Sequence, residues 1–283
     1  MHRAVEALPP ELENALARLR AHMAGYPAVL VAYSGGVDSA LVAAIAAEQL
    51  GDRALAVTGV SPALAPHLLD EARLQADWMG IRHREIPTAE LKDPAYSSNP
   101  NDRCYACKRE LHGLLALVAR ETLAPGAPPT QVVDGVNRDD LGDHRPGIQA
   151  ARERGVGSPL AELGIDKAGV RAISRSLGFP WWDKPAQPCL ASRFPYGDSI
   201  NAQRLHRVAG AEAWLRQQGF QELRVRSQGE TARIELPSHQ VEALLQRVER
   251  LELVQTFREL GFSAVSLDLE GLVSGKLNRD LAP

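Results

Sequence analysis

Tyr33-Ser34-Gly35-Gly36-Val37-Asp38-Ser39 joins two segments of opposite character. Before it, Ala28-Val29-Leu30-Val31-Ala32-Tyr33 is a short apolar run that predicts a buried strand. After it, Ala40 to Leu50 predicts a helix. A glycine turn between a strand and a helix lets backbone N–H groups converge, and the helix N-terminus adds positive potential, so an anion fits there. Ser34 and Ser39 can donate to phosphate oxygens, with Gly35 and Gly36 supplying the close approach. Asp38 can carry Mg²⁺, or it can cap the helix, in which case the segment is only a turn. No Gly-Lys-Ser/Thr follows, so this is not a Walker loop.

The same alternation continues outward. Leu12, Leu16, Leu19 and Met23 predict a helix ending at Gly25. Ala54 to Thr58 is a strand, Pro66 to Met79 a helix opened by proline, and Arg82 to Ile86 a strand. Leu111 to Arg120 is helical and Gln131 to Gly135 a fourth strand. The fold class expected is α/β: a parallel sheet with helices on both faces, binding ligands beyond the strands' carboxyl ends. Beyond Trp181-Trp182, expected to pack at a domain junction, the pattern changes. A helix (Ala202 to Gln218), strands at Glu222 to Arg226 and Ala232 to Leu236, helices from His239 and a strand at Ala264 to Leu267 predict a small α+β domain. The expected division is 1–183, a linking cysteine-containing segment 184–198, and 199–283. Ala124 to Pro129 is expected to be a loop.

Composition narrows the function. A chain of 283 residues with a net charge of −3 has no global positive field to draw it to nucleic acid or anionic lipid. The N-terminus lacks a signal peptide's apolar core and no run is long enough for a membrane span, so a cytoplasmic protein is expected. Three cysteines, an odd number, argue against a disulfide framework. Cys104 and Cys107 form a Cys-x-x-Cys pair at an expected helix start, flanked by Arg103, Lys108 and Arg109, a setting that favours thiolate. Cys189 lies in the linking segment. Spacing alone leaves four readings open: buried hydrophobes, a redox dithiol, part of a zinc site lacking its fourth cysteine, or three ligands of a 4Fe-4S cluster with one open iron.

Further residues have two readings each. Arg224 and Arg226 alternate on a strand and leave the same face, which suits a phosphate or a solvated surface. Arg193 follows Cys189 by four residues and is expected to point into the same cleft. Lys184 can neutralise an α-phosphate or simply face solvent. Asp134, Gly135, Asn137, Asp139, Asp140 and Asp143 crowd the end of the fourth strand, where nucleotide or Mg²⁺ contacts belong; some serve as helix caps.

The segment Ser34 to Ser39 resembles the phosphate loop of the PP-loop ATP pyrophosphatases, which split ATP between the α- and β-phosphates and place AMP on an acceptor oxygen. By that resemblance Ser61, at the end of the second strand with Thr58 and Gly59, lines the adenine site, and Gly135 contacts ATP. The stretches Asn99 to Tyr105, Asp134 to Gly147, Ser158 to Glu162 and Cys189 to Gly197 together resemble the LarE family, sulfur transferases of nickel-pincer cofactor synthesis. The resemblance implies a pyridinium mononucleotide substrate with two ring carboxylates, each adenylylated with ATP and Mg²⁺ and converted to a thiocarboxylate. It implies either a 4Fe-4S cluster on Cys104, Cys107 and Cys189 recharged by a sulfide source, the branch expected here, or a sacrificial Cys189. With such a substrate, Lys184, Arg193, Arg224 and Arg226 are expected at phosphates on their own chemistry, and the family's manner implies a homo-oligomer, a hexamer being its expected form. A tRNA thiolase, an ammonia-using synthetase and a non-catalytic ATP sensor are the rivals.

Overall fold

The computed structural model describes residues 5–121, 129–142, 146–273, 275, 276 and 279. Asp143 lies outside them, as does all of the expected loop at Ala124 to Pro129 except its last residue. The chain forms two compact units. One comprises Met1–Ser61, Pro66–Glu90 and Cys104–Gln187; the other comprises Pro62–Ala65, Leu91–Arg103 and Pro188–Pro283. No helix among the described residues is long and apolar enough to cross a membrane.

The first unit is built on strands β1 (Ala28–Ala32), β2 (Ala54–Val60), β3 (Arg82–Pro87) and β4 (Thr130–Val133), in the order β3-β2-β1-β4. All pair in parallel, with Val29 beside Ala54 and Leu30 beside Val132. Alternation along each strand sends side chains to opposite faces. Val29, Val31, Ala54, Ala56 and Val133 join one core with helices α1 (Pro10–Ala24), α2 (Val37–Leu50) and α3 (Pro66–Met79). Leu30, Val57 and Ile86 join the other, against Leu115, Val118 and Ala119 of the Arg103–Glu121 helix. The expected α/β architecture, helices on both faces, is therefore the observed one. The strand order reverses at β1, between β1 and β4, and such a reversal opens a crevice at the strands' carboxyl ends.

Helix α2 begins at Val37, not at Ala40 as the apolar run suggested. Gly36 is extended and serves as N-cap, so Asp38 and Ser39 occupy the first turn. Most of the helix is buried, including six successive residues from Leu41 to Ala46, because its alanines allow neighbours to approach closely. The tryptophans pack within this unit: Trp181 lies 5.2 Å from both Trp78 and Phe179, and Arg175 sits over Trp182.

In the second unit β5 (Arg224–Gln228) and β6 (Thr231–Glu235) form an antiparallel hairpin, and β7 (Ala264–Leu267) adds to β6 in parallel. Strand β5 starts two residues later than expected, because the turn at Gly229 (φ +57°) pairs Gln228 with Thr231. The Ala202–Gln217 helix buries Leu205, Val208, Ala211 and Leu215. Asn99 is the one non-glycine residue with positive φ (+56°) among those described. Its amide donates to the Pro195 carbonyl at 2.7 Å, and its own carbonyl accepts from Gly197 N–H at 2.9 Å. That left-handed asparagine pins the segment following Cys189.

Candidate active site

The loop from Ser34 to Gly36 leaves the carboxyl end of β1 and enters α2 directly. Gly35 has φ +70°, and a Cβ there would stand 3.0 Å from Ala72 of α3, so both backbone and packing require glycine. Ser34 Oγ lies 3.1 Å from Ser39 Oγ and accepts from Gly36 N–H at 3.4 Å, while Ser39 Oγ donates to the Gly36 carbonyl at 3.1 Å. No side chain caps the helix at Gly36. The first N–H groups of a helix have no partner within it, so this end of α2 presents donors and positive potential to an anion.

Asp38 is not the cap. Its Oδ1 accepts from Asn137 Nδ2 at 3.2 Å, and its Oδ2 is ion-paired with Lys167 Nζ. Gly135 follows β4 so closely that a Cβ would fall 2.6 Å from Ser39 N. Asp134 is buried and accepts from Val136 N–H and Ser158 Oγ at 3.0 and 2.9 Å; burial nevertheless raises its pKa above the usual carboxylate range. Asn137 accepts from the Asp139 N–H, and Asp140 accepts from the Asn137 N–H. Lys184 Nζ donates to the Gly35 carbonyl at 3.1 Å and pairs with Glu71 at 2.5 Å, which sets its ammonium at the rim of the loop. The structure thus brings Ser34, Gly35, Gly36, Asp38, Ser39, Gly135 and Lys184 together. Ser61, just beyond β2, donates to the buried Glu90 at 2.5 Å.

Behind the loop, Thr58 Oγ1 donates to the Tyr33 carbonyl, and His83 Nε2 lies 2.8 Å from the same hydroxyl. Burial lowers the His83 pKa, and the Tyr33 hydroxyl donates to Gln75 at 2.9 Å. These bonds tie Tyr33, the residue before the loop, to β2, β3 and α3.

Cys104 and Cys107 stand one turn apart at the start of the Arg103–Glu121 helix, Cys104 exposed and Cys107 partly buried. Cys189, exposed, precedes the short turn Leu190–Arg193 of the second unit. None of the three is in a disulfide. Among the described residues, no group of three or more His, Cys, Asp or Glu side chains is arranged to hold a metal ion.

In the second unit, Arg193 is buried with its guanidinium on Glu212, at 2.8 and 3.2 Å, and also donates to the Pro188 carbonyl at 3.0 Å. Arg226 is buried on Glu235 at 3.0 Å and donates to the Ser192 carbonyl at 2.8 Å. Arg224 forms no ion pair among the described residues. Burial lowers its pKa, and the neighbouring charges of Arg193 and Arg226 act in the same direction. Glu235 and Glu212 act against them, and a half-buried guanidinium without an ion pair among the described residues suits an anion. Sequence reasoning did not single out Lys167, Glu71 or Glu212, because each acts through a partner far away in the chain.

A family model described as asparagine synthase matches residues 11–93, the region of β1, the loop and β3. The chain is 35% identical over 254 residues to a pyridinium-3,5-bisthiocarboxylic acid mononucleotide synthase of Lactiplantibacillus plantarum, covering 89% of this chain and 90% of that protein. It is 54% identical to an uncharacterized protein of Synechocystis sp., across 95% of this chain and 99% of that one. An NH₃-dependent NAD⁺ synthetase of Methanosarcina mazei is 39% identical over 84 residues, only 27% of this chain and 33% of that enzyme. The synthetase likeness stays local, whereas the synthase match runs through both units. The chain belongs to the LarE family, that of pyridinium-3,5-bisthiocarboxylic acid mononucleotide synthase, within the PP-loop ATP pyrophosphatase superfamily.

Proposed function

We propose that the chain is an ATP-dependent sulfur transferase that converts the two carboxylates of a pyridinium-3,5-biscarboxylate mononucleotide to thiocarboxylates for nickel-pincer cofactor synthesis. The observation that carries this reading is the uncapped α2 N-terminus behind Ser34-Gly35-Gly36, in a chain matched along 89% of its length to a bisthiocarboxylate synthase. A ring carboxylate oxygen attacks the α-phosphorus of ATP, the bond to the β-phosphate oxygen breaks, and pyrophosphate leaves. The resulting acyl-adenylate is attacked at carbon by sulfur, and AMP departs with the former carboxylate oxygen.

The chain's own residues divide the work. N–H groups of the loop and the first turn of α2, with Ser34 and Ser39, hold the departing pyrophosphate. Asp38 has the hard oxygen donors that Mg²⁺ takes, and Mg²⁺ supplies charge neutralisation between phosphates. Lys184 faces the α-phosphate and Ser61 the nucleoside. Arg224, supported by Arg193 and Arg226, binds the mononucleotide phosphate of the substrate. The second unit serves substrate binding and homo-oligomer assembly.

For the sulfur, thiols are the donors that a 4Fe-4S cluster takes, and Cys104 and Cys107 at adjacent turns, with Cys189, would be its ligands. Such a cluster would supply a sulfide nucleophile renewed from an external sulfide source. A second reading rests on the exposure of Cys189, which then gives up its own sulfur. Anaerobic purification decides between them, with iron, acid-labile sulfide and the visible spectrum recorded beside Cys104→Ala, Cys107→Ala and Cys189→Ala. The cluster requires iron and sulfide in the parent and their loss in each variant. An iron-free parent whose Cys189 loses the mass of H₂S after one turnover establishes the sacrificial route. Thiolation of bulk tRNA, or amide formation from ammonia, would overturn the substrate.

A further inference from the structure

Asp38 is committed on both oxygens, and one of its partners has a charge that the site can use elsewhere. Lys167 is the first residue of the Lys167–Ser176 helix, which Asp166 caps through Gly169 N–H at 2.8 Å. Its backbone N–H donates to Asp139 at 3.1 Å, and Arg138 pairs with Asp166 at 2.6 Å, so its main chain is fixed to the end of β4 from two directions. Only the four-carbon stem is left to move. The ammonium rests on Asp38 Oδ2, in the first turn of the uncapped α2, with the lysine side chain 33% exposed and the aspartate 21%. Lys184 is the matching cation at the Gly35 carbonyl, paired with Glu71.

We propose that Lys167 is a phosphate-directed positioning residue whose charge Asp38 holds while the site is without nucleotide, and which Mg²⁺ releases by taking its place on Asp38. The inference rests on the nucleotide chemistry proposed above. Asn137 takes one acceptor site of Oδ1, and a divalent cation held by this carboxylate would repel the ammonium resting on Oδ2. The ammonium then turns to the anion that arrives with the metal, the pyrophosphate portion of ATP. Asp38 and Lys167 therefore keep the corner close to neutral in both states. Without Lys167, Asp38 would face the incoming phosphates as an uncompensated anion until its metal was bound.

A lysine that merely closes the helix start and one that exchanges partners differ in the direction in which two affinities shift when the ammonium is removed. Mn²⁺ alone, followed by paramagnetic resonance, and magnesium pyrophosphate, followed by calorimetry, are titrated into the parent, Lys167→Met, Lys167→Arg and Asp38→Asn. Lys167→Met is expected to bind Mn²⁺ about fivefold more tightly, its competitor gone, yet magnesium pyrophosphate about tenfold more weakly. Lys167→Arg, which keeps the charge, stays near the parent in both. Asp38→Asn, which frees the ammonium, binds metal-free pyrophosphate more tightly than the parent, and the double variant Asp38→Asn/Lys167→Met, which leaves neither charge unpaired, loses most of that gain; this pair decides the matter if circular dichroism shows Lys167→Met unfolded. Parallel weakening of both ligands in Lys167→Met, or unchanged pyrophosphate binding, overturns the inference. No pyridinium substrate enters these titrations, so a failure of sulfur transfer leaves the two opposed shifts standing, while a parent blind to magnesium pyrophosphate overturns both readings.

Discussion

Gly135 shows how closely single residues are specified. A methyl group there would sit 2.6 Å from Ser39 N and 2.8 Å from its Cα, and both are backbone atoms that cannot rotate away. Gly135→Ala is expected to push the first turn of α2 off its anion-binding geometry and weaken ATP binding about tenfold or more in calorimetry, while the far-ultraviolet spectrum stays that of a folded protein. Unchanged affinity would mean that the β4 end does not shape the loop. In the second unit, Glu212 holds Arg193 with both side chains almost fully buried (1% and 3% exposed) and also accepts from Val225 N–H at 3.0 Å. Glu212→Gln leaves a buried guanidinium without its counter-charge, and urea unfolding should register a loss of about 3–5 kcal/mol. The glycines and serines of the loop were legible because their chemistry is local. Lys167 was not, because it lies 129 residues from Asp38 and nothing in the spacing links them. Arg193 was read toward a cleft because its counter-ion sits on a helix 19 residues further on.

Among the elements, strands and helices were legible wherever apolar periodicity ran unbroken, as in β1 and in the proline-opened α3. Errors fell at ends, where polar residues do local work. Asp38 and Ser39 fill the first turn of α2, and the Gly229 turn shifts β5 by two residues. The Arg103–Glu121 helix runs eight residues ahead of the apolar stretch at Leu111, so the Cys-x-x-Cys pair stands at a helix start, as expected of it. It carries His112, 2% exposed, whose Nδ1 has no hydrogen-bond partner among the described residues. Burial, with Lys108 and Arg154 adding repulsion, lowers its pKa to about 3. A histidine depressed in the folded state binds fewer protons there than in the unfolded chain. Its contribution is therefore complete above about pH 6.5 and is lost as pH falls toward 3. Asp134 is raised by burial and has the opposite slope, contributing less as pH climbs through its folded pKa. Urea midpoints measured from neutral pH downward should fall less steeply for His112→Asn than for the parent; parallel curves would show that His112 titrates normally.

At the scale of the whole molecule, a parallel sheet that reverses order at β1 and a second unit built on a three-stranded mixed sheet account for where the functional side chains come from. The α/β class was legible in the alternation of strands and helices. The family was legible in motifs whose structural roles include Asn99, folded left-handed to hold the segment after Cys189. The ion-pair partners that complete each site were not legible, because they are settled only when distant elements meet. In the proposed reaction a substrate carboxylate is adenylylated and then thiolated. The most direct test of that reaction labels the carboxylate oxygens of the pyridinium mononucleotide with a heavy isotope and supplies ATP, Mg²⁺ and the protein prepared without oxygen. One labelled oxygen is expected in AMP for each thiocarboxylate formed, with pyrophosphate in equal amount. Unlabelled AMP, or ATP bound with no AMP formed, would contradict it.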